Sequence, residues 1–200
     1  DISAAKRETM LRNGLSDAYL RPVAWRGSEM MGVSAQKNTI HVAVAAWPWP
    51  SYFDPALLEK GIRLAISDWR RPDPRSAPCH AKAAGLYMIC TLSKHQAEAN
   101  GYQDALMLDY RGQVAEATGA NVFFLRDGLA QARGIEVEER AIMPEELGSF
   151  EECFLTGTAA EVTPVGEIGP HRYGVGDTTR GLMADYQALV RPSTKALAAA

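Results

Sequence analysis

The chain has no long apolar run, no surplus of positive charge, few cysteines and no paired histidines, and each shortage removes a class of function. Its longest apolar run, Val42 to Trp47, falls far short of the about 20 residues that a bilayer-crossing helix needs, so no membrane span is expected. Lys and Arg number 21 against 24 Asp and Glu, for a net charge of −3. The basic residues are scattered and the pI is about 5.8, which leaves no footprint for nucleic acid. The three cysteines, Cys79, Cys90 and Cys153, are an odd set without metal-type spacing. They read as reduced thiols in a reducing compartment, not as a disulfide framework. Four histidines, His41, His80, His95 and His171, lie far apart, in neither an H-E-x-x-H nor an i, i+4 arrangement, so no metal site is expected. No signal peptide is read at the start of the given sequence, and a start at Asp1 without methionine leads to the expectation that the true N-terminus precedes it. A soluble, cytoplasmic protein is the expectation.

What is present is a globular composition. In 200 residues, 46% of them hydrophobic, there is enough apolar material for one large domain or one and a half ordinary ones. Helical spacing covers Ser3 to Arg12 and stops at Gly14. Strands are expected over Asp17–Arg26, which puts Tyr19 and Arg21 on one face, and over Thr39–Ala46. The stretch Trp47 to Pro55 holds three prolines and can continue neither a ladder nor a helix. We place the domain organisation around it, with a small domain over 1–46, a connector over 47–56 and a large domain over 57–200. In the large domain Leu57–Gly61 begins a helix or turn, Ile62–Trp69 reads as a strand, and Ala83–Asn100 as a long helix. A hairpin of Asp104–Asp109 and Gln113–Glu116 turns about Gly112. Strands are expected at Ala120–Arg126, Ile135–Ala141, Cys153–Leu155 and Val162–Ile168, with a short helix at Met143–Ser149 and a closing helix at Thr178–Val190.

Two charges stand out against their surroundings. Glu116 is the one acid between Val114 and Leu125, among apolar and small residues, so its carboxylate is expected to be partly buried and to need a partner. Taken alone it reads as a strand residue meeting an Arg or Lys. Lys82 is likewise a single charge among small residues, in Pro78-Cys79-His80-Ala81-Lys82-Ala83-Ala84-Gly85. A lysine desolvated in this way would have a lowered pKa and form a Schiff base, as chemistry with pyridoxal 5'-phosphate requires. That cofactor also needs a carboxylate facing its ring nitrogen, because the protonated pyridinium is its electron sink.

With Ala81-Lys82-Ala83 and Tyr87, then Glu116-Ala117-Thr118-Gly119-Ala120-Asn121, then Thr156-Gly157-Thr158-Ala159-Ala160-Glu161-Val162-Thr163-Pro164, and Tyr19-Leu20-Arg21-Pro22 near the start, the chain resembles the class IV (fold-type IV) pyridoxal-phosphate aminotransferases. Within them it is most similar to the branched-chain amino acid aminotransferases. The resemblance implies an α+β or α/β two-domain fold of the D-amino-acid aminotransferase-like kind, with the cofactor at the domain interface. It implies a transaminase that moves an amino group between Leu, Ile or Val and 2-oxoglutarate, with glutamate, by a ping-pong cycle through Lys82. Cofactor binding falls to Lys82, Tyr87, Glu116, Gly119, Gly157, Thr158 and Arg71, and substrate binding to Tyr19, Arg21, Trp49, Tyr52 and Ala159. A homodimer or larger assembly is implied, because the family shares this pocket between subunits. One departure is Ala120, where a second acid is frequent in the family, which leaves only the local charge in question.

A second irregularity concerns the chain itself. Leu129–Gly134 has the composition of a helix end without a start, so a segment is expected to be missing between Gly128 and Leu129. Within the same class, a D-amino-acid aminotransferase, an aminodeoxychorismate lyase and an (R)-selective amine transaminase remain alternatives. Outside it stands a catalytically silent scaffold in which Lys82 and Glu116 form a structural ion pair.

Overall fold

The computed structural model describes residues 1–49, 51–126, 135 and 137–191. The expected chain interruption at Gly128 and Leu129, and the alanine-rich tail, lie outside the described residues. The chain divides into two compact units, Asp1–Tyr52 and Phe53–Ala200.

In the first unit, helix α1 (Ile2–Arg12) starts where the Asp1 carboxylate accepts from the Ser3 amide at 2.9 Å, satisfying one of the orphan donors of the first turn. Gly14 ends it with a φ of 63°. Strands β1 (Tyr19–Arg26) and β2 (Ile40–Trp47) pair antiparallel in continuous register from Tyr19 opposite Trp47 to Arg26 opposite Ile40. Pro22 is tolerated in β1 because each strand of a two-stranded sheet has an open edge where a missing N–H costs nothing. Both strands are apolar, yet Asn38 is the one buried residue among those described in this unit.

The second unit is a seven-stranded sheet flanked by helices. Its strands are β3 (Ile62–Arg71), β4 (Asp104–Asp109), β5 (Val114–Ala117), β6 (Asn121–Leu125), β7 (Glu152–Gly157), β8 (Glu161–Ile168) and the short β9 (His171–Arg172). The order across the sheet is β5-β4-β3-β8-β7-β6, with β9 on β8. The ladders β3–β4 and β3–β8 are parallel and the others antiparallel. The parallel step from β3 to β4 needs a crossover, which α2 (Met88–Ala99) supplies by packing on both strands. Strand β4 is buried from Asp104 to Leu108, as a strand covered on both faces should be. Ile62, Leu64, Leu106, Leu155, Val165 and Ile168 form the centre of the core, and each contributes roughly 1.5–3 kcal/mol by leaving water. Helix α3 (Asp177–Val190) closes the unit against β7 and β8.

The connection from β5 to β6 dictates the sheet's shape. These strands occupy opposite ends of the order, five strand spacings or about 24 Å apart if the sheet were flat. Only Thr118, Gly119 and Ala120 join them, and that length of chain reaches at most about 14 Å. The sheet therefore rolls up until its two ends meet. A bond from the Ala117 amide to the Ala120 carbonyl, at 2.9 Å, closes the turn at the seam.

Several expected elements shift. The long helix from Ala83 breaks at Tyr87 into a 3₁₀ turn (Ala84–Leu86) and α2. Pro144–Ser149 is 3₁₀, not α-helical. No strand forms among the described residues of 135–141, where Val137 to Arg140 are exposed and Glu138, Glu139 and Arg140 leave no apolar face to bury.

Candidate active site

The rolled sheet brings the end of β3, the crossover before α2, the β5–β6 seam and the end of β7 around one cavity of about 390 Å³. That is the size of a small-ligand pocket. Lys82 and Glu116, far apart in sequence, both line it, together with Arg71, Tyr87, Gly119, Gly157 and Thr158.

The Lys82 wall is a run of local turns. The Asp73 carbonyl accepts from the Ser76 amide at 2.8 Å, Pro78 from Ala81 at 2.9 Å, Ala83 from Leu86 at 3.1 Å and Ala84 from Tyr87 at 3.0 Å. The Cys79 thiol donates to the Pro72 carbonyl at 3.2 Å. Lys82 Nζ stands 5.8 Å from the centre of the Tyr87 ring. The expectation that Lys82 is desolvated is overturned, for the residue is exposed. Its neighbours Ala81, Ala83, Ala84 and Gly85 are too small to cover it.

The Glu116 wall is rigid by contrast. Met107 of β4 pairs with Glu116 in the ladder. Arg71 Nε meets Glu116 Oε1 at 2.9 Å, the two side chains being 19% and 34% exposed. The same guanidinium donates through Nη1 to the Leu86 carbonyl at 3.3 Å and to Cys90 Sγ at 3.7 Å, so it ties β3 to the start of α2 and to β5. Burial pushes the Glu116 carboxyl above its usual range, and Arg71 first and Lys82 second pull it back. Burial also raises the Cys90 thiol. The ion pair of Glu116 is thus with Arg71, and a structural pair with Lys82, as the scaffold alternative required, is not what the structure holds.

Glycines shape the floor. A Cβ built on Gly119 would meet nothing within 4 Å, so this residue leaves the cavity open. One built on Gly157 would stand 3.4 Å from the Gly119 carbonyl, so the two turns approach closely. Thr156 and Thr158, on either side of Gly157, also line the cavity. Ala159, next to Thr158 in the turn between β7 and β8, does not line the cavity.

Tyr19, Arg21, Trp49 and Tyr52 gather in the first unit. Arg21 Nη2 lies 3.5 Å from the Tyr19 hydroxyl and its guanidinium 5.3 Å from the Tyr19 ring centre, as side chains two apart on a strand allow. Trp49 is 5.2 Å from Tyr19 and stacks at 6.3 Å on Tyr52. Trp47, missed in the sequence, belongs here, with its ring 5.1 Å from Tyr19 and 5.6 Å from the Arg21 guanidinium. The i, i+2 spacing of Trp47 and Trp49 was the signal for it. In the cavity, sequence reasoning missed Cys90 and Thr118. Cys90 follows Leu86 by one helical turn, and Thr118 lies inside the Glu116 motif.

Among the described residues no group of three or more His, Cys, Asp or Glu could hold a metal ion, and no helix is long and apolar enough to cross a membrane. The family described as Amino-transferase class IV matches residues 1–128 and 129–168, two stretches that meet at the irregular junction. The branched-chain-amino-acid aminotransferase of Pseudomonas aeruginosa is 34% identical over 220 aligned residues, covering 98% of this chain and 72% of that protein. That of Escherichia coli (strain K12) is 34% identical, covering 88% of this chain and 64% of that protein, so the chain spans less than two thirds of this relative's length. The crystal structure of the branched-chain amino acid aminotransferase from Thermobaculum terrenum, in its PLP-form, superposes with a TM-score of 0.83 at 29% identity, covering 94% of this chain and 69% of that one. By sequence and by structure, the chain belongs to the class IV aminotransferase family.

Proposed function

We propose that this chain works as a pyridoxal 5'-phosphate-dependent aminotransferase that exchanges amino groups between branched-chain L-amino acids and 2-oxoglutarate. The observation that carries the reading is the placement of Lys82 and Glu116, an amine and a carboxylate from distant parts of the sequence, on one cavity with a glycine floor. The donor set suits the cofactor. An exposed amine is available to its aldehyde, a half-buried carboxylate paired with Arg71 suits a ring nitrogen, and Gly157 and Thr158 at the end of β7 suit a phosphate. When bound, the cofactor supplies a carbonyl that takes the amino group and a ring that accepts an electron pair.

The chain's own residues then divide the remaining work. Lys82 Nζ would hold the cofactor and, when free, would be the base that moves the substrate's α-proton. Glu116 would face the ring nitrogen and favour its protonated form, and Arg71 opposes the rise that burial gives the Glu116 carboxyl. Tyr87, at the start of α2, orients the lysine side of the cavity, and Gly119 lets a flat ring lie on the floor. In the first unit, Arg21 against Tyr19 and Trp47, with Trp49 on Tyr19 and Tyr52 on Trp49, combines one cation with an aromatic surface. Such a group accepts both an aliphatic side chain and the second carboxylate of glutamate, as the two half-reactions require. A second copy of the chain completes the enzyme, in keeping with a family pocket shared between subunits.

A panel of L- and D-amino acids assayed with 2-oxoglutarate and pyridoxal 5'-phosphate tests the substrate class. L-leucine, L-isoleucine and L-valine should be the best donors. A preference for D-alanine would move the protein to another branch of class IV.

A further inference from the structure

We infer that Asp104 is a positioning residue for the cavity floor, holding through the Thr118 hydroxyl the turn that carries Gly119 between Glu116 and Asn121. The inference rests on the proposed cofactor reading. Asp104 opens β4 and is 1% exposed. Its Oδ1 accepts from Thr118 Oγ1 at 2.5 Å and from the Ala105 amide at 2.8 Å. On the other side Lys94 of α2, whose Nζ also donates to the Gln103 carbonyl and faces Glu98 at 3.7 Å, stands 4.0 Å from Asp104 Oδ2.

The β4–β5 ladder explains why such a bond is needed. Met107 pairs with Glu116 and Leu106 with Ala117, and there the pairing stops because the chain must cross the seam to β6. The turn is closed locally by the bond from the Ala117 amide to the Ala120 carbonyl, so its shape does not depend on Thr118. Its position does. The Thr118–Asp104 bond extends the grip of β4 past the last ladder pair, to a residue that itself lines the cavity. A buried carboxylate is a costly way to fill space, since an apolar side chain of similar volume would avoid the desolvation. Burial does push the Asp104 carboxyl above its ordinary value, against the pull of Lys94 and then the Thr118 hydroxyl. A cost retained at a site whose bond reaches the pocket points to a gain in the pocket.

The experiment uses the full chain and follows pyridoxal 5'-phosphate binding to the apo protein by absorbance titration, alongside its thermal midpoint. Thr118→Val removes the hydroxyl at nearly constant volume and should weaken cofactor binding by about tenfold, the scale of one hydrogen bond to a charged group. Thr118→Ser should restore it to within twofold. Asp104→Leu should weaken binding to a similar degree in protein that stays folded, out of proportion to any shift in its thermal midpoint, a combination that a merely structural role does not produce. That variant also keeps the test open should Thr118→Val fail to fold. Unchanged affinity in Asp104→Leu, or an affinity loss that follows the midpoint downward, would overturn the inference alone. Wild-type protein that takes up no cofactor would overturn both it and the reading beneath it.

Discussion

The two walls of the cavity are built on opposite principles. The Lys82 wall is a string of turns whose bonds span three residues or so, and its amine is exposed. The Glu116 wall hangs on a strand ladder, and its carboxylate is half-buried and clamped by a guanidinium that reaches two other elements. A group that must swing between a covalent partner and a proton gains from a wall with local slack. A group that only has to hold a charge in place gains from a fixed one, since fixed charges need no reorganisation during reaction.

Substitutions that strike the two walls should therefore differ in kind as well as size. Lys82→Ala removes both the tether and the base and should lower kcat by about 10⁴-fold or more, read by single-turnover kinetics with added cofactor. Glu116→Gln keeps the shape of the fixed wall but not its charge, and should cost about 10²- to 10³-fold in kcat with a smaller change in KM. Arg71→Gln leaves Glu116 in place without its cation. The Glu116 carboxyl, already raised by burial, then rises further, so the acid limb of the pH–rate profile should move to higher pH, with about a tenfold loss of rate on that limb. An Arg71→Gln profile superposable on wild type would erase the contrast between the walls.

The smallest effect concerns the support behind the fixed wall. Asp104 has a folded pKa above its ordinary value of 3.8, so the folded state binds the proton more tightly than the unfolded one. Its contribution to stability accordingly improves as pH falls through the raised value, and the improvement is complete once pH reaches the unfolded value near 3.8. Asp104→Asn does not titrate. The difference in unfolding free energy between wild type and Asp104→Asn should therefore favour the variant most at neutral pH and shrink on acidification. A difference that stays flat with pH would show the carboxyl to be unperturbed.

Much of this is legible in the sequence because it is local. The strands alternate or run apolar where they should, the hairpin at Gly112 carries Asp109 and glycine where its turn needs them, and the motif around Glu116 lies at the end of a strand. The sheet order is not legible, since nothing within Val114–Leu125 says that β5 and β6, three residues apart, sit at opposite ends of a rolled sheet. The exposure of Lys82 is hidden for a related reason. Small flanking residues resemble an apolar environment in sequence, but alanine and glycine cover little, and cover comes from elements far along the chain. The family resemblance puts Arg71 near the cofactor, and only the fold shows that its head group meets Glu116. Among the described residues of 135–141 the expected strand does not form, because a period alone does not make a strand where three consecutive charged residues face water.

One measurement bears on the central claim more directly than any rate. Wild-type protein incubated with pyridoxal 5'-phosphate, reduced with borohydride and digested should yield a single peptide carrying a phosphopyridoxyl group on Lys82, and Lys82→Ala should yield none at that position. Label spread over other lysines such as Lys60 and Lys94, or no label at all, would contradict the assignment of this cavity to the cofactor.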